Sequence, residues 1–85
     1  MKNQEMGQHL LLEVYDAEYD ALDDHIFLKD LLFNGIIKSK CKILNTLIHK
    51  FNPCGCTIIF ALAESHVSLH TWPEKGCLSA DFYTC

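Results

Sequence analysis

From Thr57 to Thr84 the chain reads Thr-Ile-Ile-Phe-Ala-Leu-Ala-Glu-Ser-His-Val-Ser-Leu-His-Thr-Trp-Pro-Glu-Lys-Gly-Cys-Leu-Ser-Ala-Asp-Phe-Tyr-Thr. Three runs in this stretch carry the signature of β-strands. Thr57 to Ala63 is uncharged, β-branched and aromatic, as expected of a buried strand. His66 to Trp72 alternates, with Val67, Leu69 and Thr71 facing one way and His66, Ser68, His70 and Trp72 the other. Pro73-Glu74-Lys75-Gly76 has turn composition. Leu78 to Thr84 then places Leu78, Ala80, Phe82 and Thr84 on one face. Short connections between such runs predict an antiparallel sheet.

Upstream, Ile43 to Phe51 alternates with one imperfection and reads as a half-buried strand, closed by the turn Asn52-Pro53-Cys54-Gly55. Before it, Asp23 and Asp24 offer an N-cap and favourable charge for a helix. Ile26, Phe27, Leu31, Phe33 or Asn34, and Ile37 follow at spacings compatible with one apolar helical face, ending among the lysines from Lys38 to Lys42. His9 to Tyr15 is a short apolar run that reads as a first strand leaving Gly7. The order is strand, helix, then four strands. It predicts an α+β two-layer sandwich, an antiparallel sheet packed on a helix. One helix leaves the second face of that sheet in need of cover, which points either to dimerisation or to missing residues.

The 85 residues and 9.7 kDa fit one small domain, 1–85. At this size folding buries only roughly 60–65% of the unfolded chain's surface, so oligomerisation is an expected remedy. Seven basic residues, all lysine, against eleven acidic ones give a net charge of −4. That balance argues against nucleic acid, whose binders present basic stripes and arginine forks. The longest uncharged run, Phe51 to Ala63, falls short of the roughly 20 apolar residues of a membrane span. Met1 to His9 has no apolar core and does not read as a signal peptide. The expected location is the cytoplasm, and the five cysteines are expected as free thiols.

Cys54-x-Cys56, with His49 upstream and His66 or His70 downstream, assembles four soft donors. Paired zinc cysteines are usually two to four residues apart. One residue between these two favours small apolar side chains at a turn, so no metal is expected. A Cys85–His70 nucleophilic pair is conceivable, yet no hydrolase signature surrounds it.

The densest feature is Glu64-Ser65-His66-Val67-Ser68-Leu69-His70-Thr71-Trp72-Pro73-Glu74. It resembles the self-cleavage and active-site segment of the prokaryotic S-adenosylmethionine decarboxylases, pyruvoyl enzymes of polyamine synthesis. Gly7-x-His9, Phe51-x-Pro53-x-Gly55 and Phe82-Tyr83-Thr84-Cys85 agree with the same family in order, so the resemblance runs from Gly7 to Cys85. Family members continue past the Thr-Cys pair with a glycine, a second helix and a final strand, which this chain lacks.

The resemblance implies a proenzyme that cuts itself between Glu64 and Ser65. The Ser65 hydroxyl attacks the Glu64 carbonyl and turns the peptide bond into an ester. Elimination leaves dehydroalanine, and hydrolysis releases ammonia and a pyruvoyl-capped chain. The fragments are a β chain, 1–64, and an α chain, 65–85. The pyruvoyl ketone condenses with the substrate amine and acts as the electron sink for decarboxylation, in place of pyridoxal phosphate.

Residue by residue, the family's processing histidine falls on His70. Its processing hydroxyl falls on Thr57, where the family has serine. Its proton donor falls on Cys85, whose thiol is protonated near neutrality. The aromatics that stack the adenine fall on Phe51 and Trp72, suited to a purine and a sulfonium. Glu13 and Glu74 are further candidates for polar or cationic substrate groups. The implied product is the aminopropyl donor for spermidine, and the implied assembly a homodimer of cleaved protomers. Two alternatives stand beside this: the same machinery acting on arginine or ornithine, and a truncated non-catalytic subunit of a decarboxylase.

Overall fold

A computed structural model of the chain describes residues 7–84. The elements are β1 (Gln8–Val14), α1 (Tyr19–Leu22), α2 (His25–Lys38), β2 (Ile43–Lys50), β3 (Cys56–Leu62), β4 (Ser65–Trp72), a 3₁₀ turn (Pro73–Lys75) and β5 (Cys77–Thr84). The five strands form one antiparallel sheet in the order β1-β5-β4-β3-β2. This is the α+β architecture expected, with differences in detail: β2, expected half-buried, is an edge strand exposed from Leu44 to Lys50. The short α1 carries too few residues for a periodic signal. The imperfection in β2 is a register shift between Ile43 and Asn45.

Alternation along the strands sorts the sheet into two faces. Cys56, Ile58, Phe60 and Leu62 of β3, Val67 and Leu69 of β4 and Ala80 of β5 are buried against α2. Phe60 and Ile58 are the bulkiest fully enclosed side chains, each worth about 1.5–3 kcal/mol of burial. Asp24, not Asp23, caps the N-terminus of α2, accepting a hydrogen bond from the Phe27 N–H at 3.0 Å.

The helix face differs from the expected one. Leu28 and Ile36 turn inward with Leu32 beside them, whereas Ile26, Phe27, Leu31, Phe33 and Ile37 are exposed. The spacing Leu28, Leu32, Ile36 is also helical. Because α2 is apolar nearly all round, periodicity did not decide which stripe the sheet receives.

The other face of the sheet is open. Its rows follow from the register: His9, Tyr83 and His66; Leu11, Asp81, Ser68 and Ile59; and Glu13, Ser79, His70 and Thr57. Polar and ionisable side chains dominate this face, the reverse of the helix-covered side. Leu10 and Leu12 on the helix-side edge, beyond the reach of α2, are exposed as well. No helix among the described residues is long and apolar enough to cross a membrane.

Candidate active site

An open cleft of about 460 Å³ lies where the β2–β3 turn meets the end of β4. Phe51, Pro53, Thr57, His70, Trp72 and Glu74 are among its walls. Thr57 and His70 are register partners on β3 and β4, and Thr57 Oγ1 and His70 Nδ1 share a hydrogen bond of 3.0 Å. That bond fixes the imidazole and leaves Nε2 for another group. Phe51 stands edge-on to His49 with centroids 4.5 Å apart, and Trp72 tilts beside His70 at 6.3 Å. Both aromatics are largely exposed, so their ring faces are open to a flat ligand.

The turn beneath the cleft is anchored from α1. Asp23 accepts from the Gly55 N–H at 2.8 Å and from Lys50 Nζ at 2.6 Å, and both hold its carboxyl below the usual range. Asp23, expected as part of the helix cap, thus ties down the turn instead. Gly55 is required there: its φ is +96°, and an added Cβ would lie 2.9 Å from the Thr71 carbonyl oxygen. On the far side the Cys54 thiol donates to Glu74 Oε1 at 3.5 Å. Hydrogen bonding with Cys54, burial and nearby negative charge push the Tyr19 phenol up to about 12.

Ser65 is elsewhere. It opens β4 opposite Leu62, directly after Glu64, which turns the β3–β4 hairpin with φ +62°. Ser65 and His70 are therefore separated by five residues of extended strand, about 16 Å. The cleft contains Thr57, His70, Phe51, Trp72 and Glu74; it does not contain Ser65 or Glu64. Glu13 is also outside it. It sits two strands from His70 in the same row and accepts a hydrogen bond from the Tyr15 hydroxyl at 2.9 Å. Cys85 lies outside the described residues.

The soft donors weighed for a metal do not converge. The Cys56 thiol is buried beside the Thr71 hydroxyl at 3.6 Å, and Cys54 points to Glu74. All four described cysteines are free thiols. What sequence reasoning missed is the role of Asp23 and a histidine–carboxylate cluster formed by His9, His66 and Asp81. Neither has a local signal, because each depends on strand register or on contact across the fold.

A family model described as S-adenosylmethionine decarboxylase matches residues 8–85. The chain is 41% identical over 80 residues to the S-adenosylmethionine decarboxylase proenzyme of Synechococcus sp. (strain WH7803), covering 94% of this chain and 62% of that protein. It is 40% identical over 81 residues to the proenzyme of that name from Methanococcus vannielii, covering 95% and 66%. Among solved structures, the crystal structure of the adenosylmethionine decarboxylase from Aquifex aeolicus superposes with a TM-score of 0.86 at 33% identity, over 93% of this chain and 65% of that one. The chain thus spans a little under two thirds of these relatives. None of these names supports arginine or ornithine as the substrate. With nearly the whole chain matched in sequence and its sheet matched in space, the chain belongs to the S-adenosylmethionine decarboxylase family.

Proposed function

We propose that the chain is the catalytic portion of a decarboxylase proenzyme that cuts itself between Glu64 and Ser65 and acts on S-adenosylmethionine. The observation that carries this reading is the placement of Ser65 at the corner of the β3–β4 hairpin. There its hydroxyl directly follows a residue held in the left-handed conformation. A non-glycine residue at φ +62° carries backbone strain of about 1 kcal/mol or more, which a cleavage at that bond would release. The hairpin corner fits the formation of a pyruvoyl group, since a cut there leaves both strands paired to their neighbours. Once formed, that ketone supplies an electron sink for decarboxylation of a bound amine.

The chain's own residues take the remaining tasks. Phe51 and Trp72 clamp the purine across the cleft mouth, and Glu74 lies beside them for a cationic group. His70, oriented by Thr57, moves a proton during processing. Cys85 donates the proton that ends turnover, a task for a neutral thiol. Glu13 serves as a second carboxylate for cationic substrate groups from the same row of the sheet.

The distance between Ser65 and the Thr57–His70 pair supports a homodimer. A two-fold pairing that sets the cleft of one protomer against the β3–β4 hairpin corner of its partner brings the two together. The interface also covers a face that one helix leaves bare. Four free thiols suit a reducing compartment, and we place the protein in the cytoplasm.

Denaturing mass spectrometry tests the reading. Purified chain resolves into fragments 1–64 and 65–85, the second reacting with hydrazines and trapped by borohydride with S-adenosylmethionine. The Ser65→Ala chain remains a single 9.7 kDa species inert to both reagents. Carbon dioxide release occurs with S-adenosylmethionine and not with arginine or ornithine. Cleavage of the Ser65→Ala chain contradicts the proposal.

A further inference from the structure

A second constellation sits on the open face of the sheet, toward the Ser65 end of β4. His9 of β1, Asp81 of β5 and His66 of β4 come from three adjacent strands. His9 Nε2 is 2.8 Å and His66 Nε2 is 3.2 Å from one and the same oxygen, Asp81 Oδ2. The three donor atoms all lie within 4.8 Å of one another. The other carboxylate oxygen, Oδ1, accepts a hydrogen bond from the Ser68 hydroxyl. Tyr83 fixes both rings, stacking on His66 at 5.8 Å and meeting His9 edge-on at 6.2 Å.

Two imidazole nitrogens gathered around one carboxylate oxygen supply the donor types of a transition-metal ligand set. Zinc bonds to such atoms are about 2.0–2.2 Å long, which places tetrahedral ligands about 3.4 Å apart. The two histidine–carboxylate separations, 2.8 and 3.2 Å, bracket contacts slightly shorter than that spacing, and the two imidazole nitrogens, within 4.8 Å of each other, close on an ion by rotation of exposed side chains. Magnesium and calcium prefer all-oxygen cages, so imidazoles disfavour them. Ligating carboxylates are themselves held by hydrogen bonds, the part Ser68 plays here. The side chains are 48% (His9), 44% (His66) and 22% (Asp81) exposed, which leaves an entry path and room for a further ligand.

We propose that His9, His66 and Asp81 bind a divalent transition metal, zinc first among them, with one coordination position open. The site is separate from the cleft and shares no residue with Cys54-x-Cys56. One consequence rests on the self-cleavage reading: His9 precedes the scissile bond, whereas His66 and Asp81 follow it. An ion there clips the two fragments together.

Calorimetric titration of the chelator-stripped full chain with zinc, and visible absorption with cobalt, test the site. One ion binds per chain, and cobalt shows ligand-field bands with no thiolate charge-transfer band. His66→Ala and Asp81→Asn weaken zinc binding at least roughly 100-fold. Ser68→Ala, which keeps all three ligands, weakens it about 10- to 100-fold. The remote His25→Ala leaves it unchanged. Should a ligand variant lose its fold, the wild-type ring signals decide: zinc shifts those of His9 and His66 and no other histidine. No stoichiometric binding, a thiolate band, or affinities equal to wild type in the ligand variants overturns the proposal. Repeating the titration on the Ser65→Ala chain keeps this outcome separate from that of the cleavage reading.

Discussion

Ser65 and His70 share strand β4 but occupy its two ends, five residues apart and with side chains of opposite parity. Ser65 has the parity of Val67 and Leu69, on the helix side. His70 faces the open side with Thr57. About 16 Å of extended backbone between them is far beyond the roughly 3 Å that proton transfer needs. On the proposed reading, His70 reaches Ser65 only from a second copy of the chain.

The hydrogen bond between Thr57 and His70 gives a first prediction. Thr57→Val keeps the volume and strand preference but removes the partner of His70 Nδ1. The lost interaction, about 1–1.5 kcal/mol, slows self-cleavage roughly tenfold. Thr57→Ser restores the hydroxyl and the rate. The time course of fragment appearance on denaturing gels measures both, and an unaffected Val variant removes Thr57 from the processing step.

Much of this was legible before the fold was known, and the limits are instructive. The strands around Val67, Leu69 and Thr71 declared themselves because sheet periodicity is local. The Asp24 cap did so for the same reason. The inward stripe of α2 did not, since Leu28, Leu32 and Ile36 compete with Ile26, Phe27 and Leu31 on a helix apolar on most sides. Asp23 was legible only as a capping residue, because its true partners, Gly55 and Lys50, lie across the fold. The identities of Ser65, His70 and Thr57 came from motif resemblance. The distance between Ser65 and His70 came only from strand length and register.

Gly55 yields a second prediction. Gly55→Ala forces a Cβ toward the Thr71 carbonyl oxygen at a φ of +96°. The cost is about 1–3 kcal/mol, read as a lowered thermal midpoint. Because the turn carries Phe51 and Cys54, the proposed binding of adenine nucleosides in the cleft is expected to weaken in parallel. An Ala variant with wild-type stability refutes the strained turn.

Asp23 predicts the acid limb of stability. The Lys50 ammonium and the Gly55 N–H hold its folded pKa below the unfolded value of about 3.9. The contribution is therefore present above about pH 4 and is lost as pH falls through the lower, folded value. Asp23→Ala lowers the thermal midpoint at pH 7, and the gap to wild type narrows progressively below pH 4. A gap that stays constant down to pH 2 contradicts the assignment.

The most direct measurement is complementation between two inactive chains. Ser65→Ala retains His70, and His70→Ala retains Ser65; alone, neither cleaves. Co-expressed with distinguishable masses, they form mixed dimers in which one Ser65 meets an intact histidine. The His70→Ala chain is then cut at Glu64–Ser65, and about a quarter of the wild-type sites form at random pairing. If no His70→Ala chain is cut in the mixture although mixed dimers are present, each protomer must supply its own histidine and the shared site is refuted.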